Sequence, residues 1–120
     1  MNKKDELEIL IDALKKREEV LEKDLSVSKY NKYFDIMRKS ARKLIDENRQ
    51  EELLPYLHCG SISIQRDVAG LLFHCYPEEC TEVLKKISDM SVQTGLPKHL
   101  SCVSASADMA LKIGIPENYP

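Results

Sequence analysis

The sequence predicts an all-α fold, on three observations. Apolar residues recur at steps of three and four through most of the chain. From residue 50 onward, Gly, Pro and Ser mark breaks between shorter stretches of that kind. Nowhere do apolar and polar residues alternate long enough to make a strand. The nearest approach, Ile62-Ser63-Ile64, lies inside a helical period.

The first helix is expected over DELEILIDALKKREEVLEKDL, where Leu7, Ile11, Leu14, Leu21 and Leu25 fall on one face and Glu18 interrupts it. Asp12/Lys16 and Glu19/Lys23, four apart with the acid first, suit its solvated side. The second helix follows Ser26 or Ser28, either of which can cap free N–H groups, and runs to about Asn48. Tyr30, Tyr33, Phe34, Met37, Ala41, Leu44 and Ile45 give it an apolar face, and Lys29, Lys32, Arg38, Lys39, Arg42 and Lys43 stand on the opposite side.

Next, EELLPYL predicts a brief helix with Leu53, Leu54 and Leu57 inward, and Gly60-Ser61 a turn. Ile64, Val68, Leu71, Leu72 and Cys75 then define a fourth helical face. Pro77 suits the first position of a further helix, with Glu78, Glu79 and Glu82 near its positive end and Cys80, Val83, Leu84, Ile87 and Met90 inward. After the loop around SVQTG, Pro97 starts the last helix, which Gly114 and Pro116 end. That helix carries two stripes, Leu100/Val103/Ala107/Ala110 and Cys102/Ser106/Met109/Ile113, and is expected to be covered on two sides. Phe34, Leu54, Val68, Leu72, Leu84, Val103 and Ala107 are expected to be buried.

A chain of 120 residues fits one domain, 1–120, with a long helix pair over 1–49 and two shorter units over 50–76 and 77–115. No apolar run approaches the roughly 18 residues of a membrane span, and Asp5, Glu6 and Glu8 interrupt the opening residues as an export signal. Four cysteines without a Cys-x-x-Cys pair then read as reduced thiols in a cytoplasm. Net charge is −2 but uneven: residues 26–49 carry seven basic and three acidic side chains, 1–25 six and eight, 50–120 five and nine.

The later helices look like two copies of one unit. Leu53, Leu54 and Leu57 reappear 30 residues on as Val83, Leu84 and Ile87, and Ile64, Ala69, Leu71 and Cys75 reappear 38 residues on as Cys102, Ala107, Met109 and Ile113. LLPYLHCGSISIQRDVAGLLF resembles the HEAT-repeat pattern, in which a Leu-Leu-Pro-x-Leu helix precedes a turn, a Val-Arg pair and Ala-Ala-x-x-Leu. Ile64 matches the Val, Val68 and Ala69 the Ala pair, and Leu72 the closing Leu. Gln65 replaces the usual Arg and Ser61 stands near the usual Asp, so the charged ladder between repeats is missing. The match covers 51–75 well and 78–113 weakly. The resemblance implies a short right-handed α-solenoid of five to six helices in antiparallel pairs, presenting a binding surface. Small bacterial HEAT-like proteins, some of them immunity proteins paired with toxins, look similar.

Two His-Cys pairs, His58-Cys59 and His74-Cys75, raise the question of metal or catalytic chemistry. Cys75, Cys80 and Cys102 fall on apolar stripes, where free cysteine acts as a small hydrophobe, while His74 falls on a polar edge with Asp67 and Gly70. His74, Cys75, Cys80, His99 and Cys102 lack finger or ribbon spacing. Cys59 with His58 is the one dyad near an exposed turn, and adjacent residues seldom point together. No phosphate loop, nucleophile elbow or His-Glu-x-x-His is present. No catalytic residue, cofactor, metal ligand or disulfide is therefore expected.

The expectation is a cytoplasmic, non-enzymatic protein-interaction module, an immunity- or inhibitor-type protein that covers a partner, a cognate toxin for instance. Lys32, Arg38, Lys39, Arg42 and Lys43 are the contact residues this reading nominates. The alternative is a nucleic-acid-binding helical repeat using the same basic face, which the acidic overall balance disfavours.

Overall fold

The computed structural model describes residues 5–23, 26–59 and 61–120. Among them the chain forms no strand and five α-helices: α1 Glu6–Glu22, α2 Val27–Asp46, α3 Ile62–Leu71, α4 Pro77–Asp89 and α5 Lys98–Ile113. Short 3-10 turns lie at Gln50–Glu52, Leu54–Leu57 and Met90–Val92. The chain divides into two compact units, one through Leu53 with Pro120, the other Leu54–Tyr119.

In the first unit α1 packs on α2, and its buried line is Leu10, Ala13, Leu14, Arg17 and Val20. Leu7, Ile11 and Leu21, expected at the centre of the face, are only half-buried; Leu25 lies outside the described residues. The apolar arc of α1 is wide, including Ile9, Leu10, Ala13 and Val20 as well, and its middle rather than one edge is covered. On α2 the buried positions are Met37, Ser40, Ala41 and Leu44. Tyr30, Tyr33, Phe34 and Ile45 are half-buried, which corrects the expectation that Phe34 is in the core. Small Ser40 and Ala41 leave room for α1.

Helix α2 stops in a Schellman arrangement. Asn48 takes a left-handed φ of 58°, its N–H reaches the Ile45 carbonyl at 2.9 Å, and the Arg49 N–H reaches that of Leu44 at 2.7 Å. Asparagine tolerates this backbone better than most residues. The turn aims the Arg49 guanidinium at two carboxylates. Nη1 and Nη2 donate to Asp5 at 3.1 and 2.8 Å, while Nε and Nη2 donate to Glu52 at 2.6 and 2.9 Å. These bonds hold both acids below the usual carboxylate range.

The expected helix over EELLPYL is instead two 3-10 turns. Pro55 has no N–H to give an i→i−4 bond, so the chain closes with tighter i→i+3 bonds. Leu53 and Leu57 are fully buried, but Leu54 is half-buried, against expectation.

In the second unit Ser61 caps α3, its Oγ accepting from the Ile64 N–H at 3.2 Å. Gly60 lies outside the described residues. Helix α3 ends at Leu71, so His74 and Cys75 follow it rather than belong to it, and Gly70 is buried rather than on a polar edge. Pro77 stands in the first turn of α4, while Pro97 precedes α5 as its N-cap. Gly114 ends α5 at φ 91°, a conformation that costs glycine little. Val68, Leu72, Leu84 and Ala107 are fully buried and Val103 nearly so.

One buried polar group ties α4 to α5. The Ser104 hydroxyl, wholly buried, lies 2.8 Å from the Ile87 carbonyl and 3.1 Å from that of Ser88. Ser88 Oγ in turn donates to Asp108 at 3.1 Å. The stripe Cys102/Ser106/Met109/Ile113, expected to be covered, is exposed, with Met109 at 54% and Ile113 at 74%. Val103, Ser104, Ala107 and Ala110 face inward instead, so α5 is covered along one side. They repeat the buried Ile64, Gln65, Val68 and Leu71 of α3 at an offset of 39, one residue longer than the apolar pattern alone suggested. Beyond Gly114 the chain returns to the segment that follows α3, where His74 Nε2 lies 2.7 Å from the Pro116 carbonyl. A carbonyl only accepts, so Nε2 carries the proton.

Candidate interaction surface

The cations of α2 stand where their spacing placed them. Lys29, Lys32, Lys39, Arg42 and Lys43 are exposed and Arg38 is half-buried. From Lys29 to Lys43 a helix rises about 21 Å, so the row is long rather than clustered. Exposed Asp35 interrupts it, and exposed Asp46 follows its end.

Among the described residues few of these charges are used. Arg42 Nε sits 3.6 Å from Asp46 and Lys43 Nζ 3.1 Å from Glu6. Lys29, Lys32, Arg38 and Lys39 have no ion pair among the described residues. The acids of α1 turn partly to their own helix: Asp12 holds Lys16 at 3.0 Å and Glu19 holds Lys23 at 2.9 Å. Exposed pairs of this kind contribute little to stability, typically under about 1 kcal/mol. What remains on α2 is positive charge held out in water.

The aromatic side of α2 is engaged. Arg17 is only 6% exposed, and its guanidinium carbon lies 4.2 Å from the Tyr30 ring centroid and 5.1 Å from that of Phe34. Its Nη1 is 3.6 Å from Met37 Sδ. Lys16 and Lys32 approach Tyr33 at 5.6 and 5.7 Å. Sequence reasoning missed Arg17 because a lone arginine beside Lys15 and Lys16 looks like part of a polar face.

The His-Cys pairs separate. His58 Nε2 is 3.7 Å from Glu79 Oε2, whereas Cys59 Sγ approaches the Tyr56 carbonyl at 3.4 Å. His74 meets the Phe73 ring edge-on at 5.5 Å, and Cys75 beside it is half-buried. Burial raises the Cys75 thiol above its ordinary range and pushes that of Cys80 up to about 12, so both stay protonated near neutrality. Cys102 is exposed on α5, which corrects its placement on a core stripe. Among the described residues no three His, Cys, Asp or Glu side chains come together as metal ligands. None of their helices is long and apolar enough to cross a membrane.

A small depression of about 190 Å³ opens in the second unit, lined by His58, Gln65, Glu82, Val83 and Lys86. Gln65 is 7% exposed and its Nε2 donates to the Cys59 carbonyl.

Compared with known protein families, with curated proteins and with solved structures, the chain shows no significant match.

Proposed function

We propose that this chain is a non-enzymatic, cytoplasmic protein-binding module of immunity or inhibitor type, which works by covering an acidic surface of another protein, such as a cognate toxin. The observation that carries the reading is the long face of α2, where Lys29, Lys32, Arg38 and Lys39 have no ion pair among the described residues. Such charges steer association and fix register more than they stabilise the fold. Inhibition by coverage needs no reactive group, only about 800 Å² of contact on each side. The HEAT-like solenoid is part of the same proposal. Its support is the inward pattern of α3 recurring in α5 at an offset of 39.

The test is affinity recovery of a partner after nuclease treatment, followed by binding kinetics of the Arg38→Glu/Lys39→Glu/Arg42→Glu chain. That reversal should slow association about tenfold or more at low salt, and less as salt screens the charges. Unchanged kinetics would remove α2 from the interface. Salt-dependent binding to oligonucleotides in place of a protein would favour the nucleic-acid reading. Tyr30 is a poor stacking platform for bases, because Arg17 already lies over it.

A further inference from the structure

The depression on the second unit has chemistry that the protein-binding reading does not use. Glu82 and Lys86 are four apart on α4 with the acid first, a spacing that closes as an ion pair in α1 at Asp12–Lys16 and in α5 at Asp108–Lys112. Both line the depression, yet among the described residues neither has an ion pair.

Gln65 supplies a third group. With Nε2 committed to the Cys59 carbonyl, which can only accept, the other amide atom is the oxygen. That oxygen has no hydrogen-bond partner among the described residues, and the residue is 93% buried. The residue lines the depression. Val83 adds an apolar patch, and His58, 3.7 Å from Glu79, stands on the rim.

We propose that this depression binds a small zwitterion of the α-amino-acid class. The ligand's ammonium group donates to Glu82 and to the Gln65 oxygen, its carboxylate accepts from Lys86, and a short side chain lies on Val83. The volume of about 190 Å³ equals about six waters at their share of liquid volume, a size that suits alanine or serine. A single-charge ligand leaves one of the two helix charges unanswered, so the site discriminates by requiring both.

The test is titration of the isotope-labelled full chain with L-alanine and L-serine, with acetate and ethylammonium as single-charge probes, read by amide resonances. Saturable shifts centred on the Gln65 side-chain amide and on Val83 and Lys86, in the millimolar range, are expected for the amino acids. Glu82→Gln and Lys86→Met, both at exposed positions, should each weaken binding about tenfold without moving resonances elsewhere. Acetate or ethylammonium binding as tightly as alanine would overturn the zwitterion assignment. Linear, unsaturated shifts, or saturation untouched by both variants, would overturn the site. None of these outcomes bears on the α2 surface.

Discussion

Ser104→Ala is the sharpest test of the packing in the second unit. The substitution removes one hydroxyl from a wholly buried position and leaves the Ile87 and Ser88 carbonyls without that donor. Losing the bond costs about 0.5 to 1.5 kcal/mol, and the two carbonyls keep the Met90 N–H as a donor. Alanine returns about 0.5 kcal/mol as the better helix former, and the small cavity takes part of that back. The net expectation is a loss of about 1 kcal/mol, about 4 °C in Tm for a chain of this size. Ser101→Ala serves as the control: it sits on the exposed side of the same helix and should stabilise by a few tenths of a kcal/mol. Urea denaturation followed by far-UV circular dichroism measures both. If Ser104→Ala were as stable as Ser101→Ala, the hydroxyl would not be joining α4 to α5 and the contact between these helices would have to be redrawn.

Leu72→Ala should cost about 2 to 5 kcal/mol by the same assay, because the side chain is fully buried and its removal leaves a cavity. A thiol reagent near neutral pH should modify Cys102 first, a phase that Cys102→Ser abolishes, while Cys80 reacts only after unfolding; early labelling of Cys80 would contradict its burial. Asp5 and Glu52 have folded pKa values below their unfolded ones of about 3.9 and 4.3. Their contribution is therefore present above those values and is lost as pH falls through the folded ones. Arg49→Gln should flatten the fall in Tm between about pH 5 and pH 2, and an unchanged acid limb would show that the fork does not bias folding.

What could be read from the sequence was mostly local. The α2 cations, Pro77 at the start of α4 and Gly114 at the end of α5 each depend on residues within a turn or two, so spacing alone located them. The misses are long-range. Arg49 meets Asp5 from 44 positions away, and no pattern within one helix announces that contact. Ser104 looked like an ordinary polar residue because its acceptors are backbone carbonyls of another helix. The two stripes of α5 were equally apolar on paper, and only the packing of α4 and α3 chose between them. The depression joins His58 and Gln65 to Glu82 and Lys86, so its charges could not be grouped before folding.

The slot that holds Arg17 also limits how α1 can slide along α2. Two helices joined only by leucines and alanines have several alignments of similar energy, each one turn from the next. Here a flat cation must lie against Tyr30 and Phe34 with Met37 beside it. A shift by one turn offers those rings Ala13 or Leu21 and moves the guanidinium away from both. Arginine in this position acts as a key cut for one notch, giving the pair a single alignment at some expense in desolvation. Arg17→Lys keeps the charge but not the flat stacking surface, so it should broaden or double the α1 resonances, whereas a single sharp set would show that charge alone sets the alignment.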